Sequence, residues 1–300
     1  MMIVAFFALI AATSAQQTDS IVNRATAAVK PLTDSVALRS AGYQPLAFGP
    51  VRDLTPFQGQ HWLDPKAIVA NLPVDLSKPT FVMYLPVRDS LIPVGVAYTR
   101  RIGPSTPVPT TLAGVNAEWH SHVFCRGVPG MGTVLSDGID DCKTRGGTPT
   151  AQQLAMVHTW TIPNPDGPNA HDNPSLPYFA TGLIPPAKPT KDDRLFGVAL
   201  GESYGAKLPI AHRIDRDAQQ AGTGALLQEH RLALRLLVPQ LLAAQKAHDN
   251  VKFEALRKKT ISEWNALLST YHALAATPEI GKRIDVELSE VTGETEMHHH

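Results

Sequence analysis

The 300-residue chain has two cysteines, Cys125 and Cys142, separated by the glycine- and aspartate-rich stretch RGVPGMGTVLSDGIDD. A bridge between them would pin that stretch to whatever precedes it and contribute about 3 kcal/mol in the chain-entropy model. The competing arrangement, a Cys/His metal site, needs reduced thiolates and closer cysteine spacing. Directly upstream lies NAEWHSHVF, residues 116–124, which reads as a strand. Residues two apart on a strand share a face, so His120 and His122 project side by side. A third histidine from a neighbouring strand would complete a facial metal site, and His158 in MVHTWTI is the candidate.

Around this stretch the pattern is that of an irregular β structure. From Tyr43 to about Pro209, short apolar or alternating runs are separated by Pro, Gly, Asn and Asp clusters. Strands are expected at 80–85, 92–99, 116–124, 154–162 and 195–200. The 25 prolines favour turns over a largely helical fold. Asn164-Pro165-Asp166-Gly167-Pro168 and Asp172-Asn173-Pro174 are turn sequences in which Asn and Asp side chains bond nearby backbone. Helix is expected at both ends. Ile21, Val22, Ala25 and Val29 recur at helical spacing, Pro31 interrupts, and the helix resumes over Asp34–Ala41 with Gly42 as its cap. Near the C-terminus, Ala218–Leu237 reads as a helix that Pro239 ends or kinks. Phe253, Leu256, Thr260, Trp264, Leu267, Tyr271 and Leu274 form one stripe on a second helix, and Pro278 opens a third. The expected fold is α+β: an irregular β-sandwich or small β-barrel with an N-terminal helix and a C-terminal helical hairpin.

The expected organisation is a signal peptide at 1–15, a helical segment at 16–42, a β-rich body at 43–215, a helical tail at 216–290 and a disordered end at 291–300. The signal peptide rests on apolar Ile3–Ala12, with small Thr13 and Ala15 before a cleavage at Gln16, although its start lacks Lys and Arg. Met297 and His298–His300 match a truncated purification tag and carry no argument. No later stretch reaches the roughly 18 apolar residues of a spanning helix, so no permanent membrane anchor is expected. The location implied is periplasmic or secreted, where a disulfide is favoured. Balanced charge, 27 basic against 27 acidic residues, gives no electrostatic footprint for nucleic acid.

Candidate metal ligands are His120, His122 and His158, joined by His61 in GQHWLDP and His171 in PNAHDNP. Imidazole donors suit Zn, Cu, Fe or Ni, and three histidines leave an open position for metal-assisted hydrolysis or oxygenation. Glu118 and Asp172 are placed to orient an imidazole. Trp62, Trp119 and Trp160 beside the histidines suggest an apolar-walled pocket and hence a small organic ligand; a protein partner is the other expectation. The alternative function is a non-catalytic exported binding or structural module without metal. A third is a serine hydrolase, from Gly201-x-Ser203-x-Gly205 after LFGVAL, with His212 or His230 as base. Pro209 soon after the serine argues instead for a glycine turn. Asp137, Asp140 and Asp141 lack the spacing and terminal glutamate of an EF-hand and read as a solvated loop. His248 and His272, like His212 and His230, fall in the helical tail without ligand spacing.

Gly114-x5-His120-x-His122, with His158 at the distance of a second motif, resembles the cupin metal motif across residues 110–165. That resemblance implies a small β-barrel with two imidazoles on one strand. The chain departs from it in lacking a glutamate four or five residues after His122 and a Pro-x-Gly before His158. The order AGY (41–43), GQHW, WHSH, HTW and NPDGP also resembles a group of exported bacterial proteins without an assigned activity, over residues 25–210. It implies export and carries no residue roles.

Overall fold

The computed structural model describes residues 2–48, 51–52, 54–87, 90–128, 132–136 and 138–293, with side chains from residue 16 onward except at 47–52. The expected cleavage segment, Asp137 and the terminal histidines therefore fall wholly or partly outside these side chains. The chain divides into two compact units, one of residues 1–46 and 61–171, the other chiefly of 47–60 and 172–298.

In the first unit an antiparallel sheet curls into a half-barrel. Its main strands are β1 (Gly59–Leu63), β2 (Phe81–Val87), β3 (Ser90–Ile102), β4 (Trp119–Val128), β5 (Gly132–Ser136) and β6 (Thr148–Trp160). Their spatial order is β1-β2-β3-β6-β4-β5, so β6 returns to pair between β3 and β4. Alternation assigns the side chains to faces. Val82, Tyr84, Val96, Tyr98, Trp119, Ala155 and Val157 form one apolar core, which α1 (Met2–Val29) joins through Ile21, Ala25 and Val29. Those three recur every four residues and make one stripe of the helix. Three buried tyrosines fasten loops to this core: Tyr43 Oη donates to Pro79 O (2.7 Å), Tyr98 Oη to Leu76 O (2.9 Å), and Tyr84 Oη to Leu32 O. Burial, with Asp64 nearby, pushes the Tyr43 phenol up to about 12.

The opposite face carries Phe81, Ala97, Leu154 and Met156, with Leu63, Ile68 and Phe124 packed against them. Asp34 caps α2 (Ser35–Ser40), and Gly42 takes a left-handed φ of 95° just after it, as the sequence implied. Asp64 caps α3 (Pro65–Ala70) in the same way. Cys125 and Cys142 form a disulfide with Cα atoms 5.4 Å apart, joining β4 to α4 (Ile139–Thr144).

The second unit is helical: α5 (Leu176–Thr181), α6 (Lys191–Tyr204), α7 (Pro209–Gln220), α8 (Ala225–Lys246), α9 (Asn250–Leu274) and α10 (Pro278–Thr292). Two expectations are corrected here. LFGVAL at 195–200 is helix within α6, not strand. A capping box starts it, with Asp193 N–H donating to Thr190 Oγ1 (3.2 Å) and Thr190 N–H to Asp193 Oδ2 (2.9 Å). Every residue from Phe196 to Ser203 is buried, and a fully buried helix shows no amphipathic period to distinguish it from a core strand. The single helix expected over Ala218–Leu237 is instead the end of α7 and the start of α8, separated at residues 221–224. Of the two outcomes expected at Pro239, it does not end α8, which runs on to Lys246. Leu234, Leu237 and Leu241 are buried on either side of Pro239, and their packing outweighs the missing N–H donor.

A buried ionic cluster holds α6, α7, α8 and α9 in register. Arg231 donates to Glu202 (3.0 Å), Asp215 (2.8 Å) and the Tyr271 hydroxyl (2.6 Å), and Tyr271 donates to Glu202 (2.7 Å). Lys207 Nζ completes it at 2.6 Å from Asp215. Burial raises the Glu202 carboxyl against the opposing pull of Arg231 and Lys207. Removing the guanidinium leaves buried carboxylates without their main counter-charge. Arg231→Met should therefore destabilise the chain by about 3–5 kcal/mol in urea unfolding. Cys125→Ser/Cys142→Ser should cost about 3 kcal/mol in the same measurement.

Candidate functional site

Five histidines come together in the first unit, and they are the five that the sequence picked out. On β4, His120 and His122 face the same side, as period-two geometry requires. Their partners on β6 are Met156 and Leu154, so His158, two residues beyond Met156, stands diagonal to His120. His61 comes from β1, its ring edge-on to Phe81 at 6.1 Å. Ring centroids lie 4.9 Å apart for His120–His122, 5.0 Å for His120–His158 and 4.2 Å for His120–His171. His158 is 5.3 Å from His171 and 5.8 Å from His61. His61, His120 and His158 are buried; His122 and His171 are half-buried.

His171 is delivered by a loop that folds back along β6. Gly167 N–H donates to Asn164 O (3.1 Å), and Asp166 N–H to Asn164 Oδ1 (3.1 Å), closing the turn that NPDGP encodes. The chain then zips onto β6. Trp160 N–H donates to Pro168 O (2.8 Å), Thr159 Oγ1 to Asn169 Oδ1 (2.9 Å), and Trp160 Nε1 to Ala170 O (2.8 Å). Glu118 anchors the far end, its Oε2 accepting the His171 N–H at 2.9 Å. Glu118 thus holds the backbone that carries an imidazole. Asp172 Oδ1 accepts from Gln58 Nε2 at 3.0 Å, within the second unit.

This loop also fixes the state of His158. Its Nδ1 lies 2.5 Å from His171 O, and a carbonyl only accepts, so Nδ1 carries the proton. Nε2 is then the bare nitrogen. It is buried and has no hydrogen-bond partner among the described residues. Burial, reinforced by His171 and His61, holds the pKa of His158 well below its ordinary value. The ring is a neutral Lewis base at neutral pH.

Other expected features separate. Trp160 shares the histidine face, edge-on to His158 at 5.8 Å. Trp62 and Trp119 are one residue from His61 and His120 and belong to the core under α1, so they wall no histidine pocket. Asp141 is buried and paired with Arg145 (2.9 Å), while Asp140 is exposed. Ser203 lies in the last turn of α6 and donates to Leu200 O (2.6 Å); no strand-to-helix elbow presents it. His212 Nε2 meets Leu54 O at 3.0 Å. His230 bridges Glu263 (2.6 Å) and Thr270 (3.1 Å). His272 pairs with Asp285 (3.0 Å). As the rings stand, no group of three or more His, Cys, Asp or Glu side chains among the described residues is arranged to hold an ion. The chain matches no family model, no curated protein and no solved structure.

Two expectations follow. Glu118→Ala should lower stability by about 1.5–3 kcal/mol, the range of a hydrogen bond to a charged group, and raise amide exchange at His171; Glu118→Gln should do less. In metal-free protein, the depressed pKa of His158 makes stability fully present above pH ~6.5 and lost as pH falls below it. The unfolded imidazole takes up a proton there that the buried one refuses. The slope from this one group should reach about 1.4 kcal/mol per pH unit, read from urea midpoints between pH 7 and 5.

Proposed function

We propose that the chain is an exported metal-binding protein, with His120, His122 and His158 as the central ligands and His171 and His61 as further donors. The observation that carries this reading is the spacing of the rings. An imidazole bound at ~2.0–2.1 Å through one nitrogen has its centroid roughly 3 Å from the ion, so tetrahedral neighbours have centroids about 5 Å apart. The separations from His120 to His122 and to His158 are 4.9 and 5.0 Å. Convergence of these rings on one ion requires them to turn from the arrangement described above, in which no group of three is placed to hold one among the described residues. His158 supports the same reading, since its deprotonated Nε2 is buried with no protein partner among the described residues while Nδ1 is held by a carbonyl. Nitrogen donors of this kind suit Zn, Cu, Fe or Ni. A three-histidine set leaves a position open, the requirement for metal-assisted hydrolysis or oxygenation.

The Cys125–Cys142 disulfide is what an oxidising compartment allows, and the apolar N-terminal run is the feature that supports export. No helix among the described residues is long and apolar enough to cross a membrane.

Elemental analysis of tag-free protein purified from a periplasm tests the reading. About one equivalent of a transition metal is expected, absent from His120→Ala/His122→Ala. A folded wild-type chain that is metal-free and takes up none of Zn, Cu, Fe or Ni would overturn it.

A further inference from the structure

The core under α1 has one position that breaks its own pattern. On β3, Val96, Tyr98 and Ile102 are buried on this face, and Arg100 occupies the alternate position between the last two. Its partner on β6 is Ala155, fully buried and small. Period-two alternation thus puts a charged residue where the sheet elsewhere places Val, Tyr or Ile. Arg101, on the other face, donates to Val69 O at 2.8 Å. The Arg100 guanidinium is exposed and forms no hydrogen bond or ion pair among the described residues.

Beside Arg100 lies a half-open cavity of about 270 Å³, walled by Val74, Leu76, Pro109, Leu112 and Trp119. The indole N–H of Trp119 is already given to Thr111 O (3.0 Å), so the ring offers an occupant its carbon surface, while Thr111 adds a polar group to the lining. An apolar wall with one uncompensated cation at its edge is complementary to a molecule with an apolar body and one negative end. The volume falls just short of the ~300–1,000 Å³ of drug-sized sites. We propose that this cavity binds a small apolar monocarboxylate, its carboxylate on Arg100 and its body against Trp119 and Leu112. The proposal is independent of the histidine cluster, which lies on the opposite face of the sheet.

The test is calorimetric titration of the full chain with 3-phenylpropionate and its neutral counterpart 3-phenylpropanol. Wild type should bind the acid, and Arg100→Gln should weaken that binding about tenfold or more. Arg100→Lys, which keeps the charge, should retain most of it. The alcohol should bind wild type and Arg100→Gln equally, and the acid's affinity should fall with added salt. Because Arg100 is exposed and unpaired, both variants should keep the wild-type unfolding temperature. Equal affinity of the acid for wild type and Arg100→Gln, or no binding of the acid at millimolar concentration, would overturn the proposal.

Discussion

The alternation of side chains across the curled sheet is the constraint on which the first unit depends. Each strand residue is committed to one of two faces, and a one-residue change of register would exchange them. On β4 it sends Trp119 to the core under α1 and His120 and His122 to the other side. On β1 it separates His61 from Trp62, and on β6 it sets His158 apart from Val157. The apolar face, gathered under Ile21, Ala25 and Val29 of α1, fixes the register. The histidine face is then a consequence of packing on its opposite side.

Strands supply four of the five imidazoles, His61, His120, His122 and His158; the fifth, His171, depends on a loop. The NPDGP turn reverses the chain, and successive bonds from Thr159 and Trp160 lay residues 168–170 along β6. The result is a reciprocal arrangement. Glu118, from the approach to β4, holds the His171 N–H, and the His171 carbonyl holds His158 Nδ1. One short segment thus contributes a ring to the cluster and sets the tautomer of another. A buried neutral imidazole with its bare nitrogen turned inward is costly to keep unless something binds there.

The second unit solves a different problem. Its core is apolar around Trp264, Leu267 and Tyr271, yet Arg231 sits among these helices with two carboxylates and a phenol around it. Such a cluster contributes less to net stability than apolar residues of the same volume would, but its directional bonds tie four helices to one mutual arrangement. Pro239 is carried inside α8 by the same collective packing.

Much of this was legible in the sequence because it depends on local rules. The strands around residues 81–87, 90–102, 119–128 and 148–160, the cap at Gly42, the NPDGP turn and the pairing of two lone cysteines all follow from periodicity, turn chemistry and count. His120 and His122 could be chosen by spacing on a strand, since a period of two needs no knowledge of partners. LFGVAL could not be read, because a segment buried on all sides shows no period, although the Thr190–Asp193 capping box was there to find. Trp62 and Trp119 looked like pocket walls from their nearness in sequence; on a strand, nearness by one residue means the opposite face. Only the tertiary structure decided that His61 and His171, 110 positions apart in the chain, meet the same cluster, and that a backbone carbonyl rather than a carboxylate sets His158. Strand order and loop return are non-local. They are settled by which faces can be buried together, and no window of sequence contains that information.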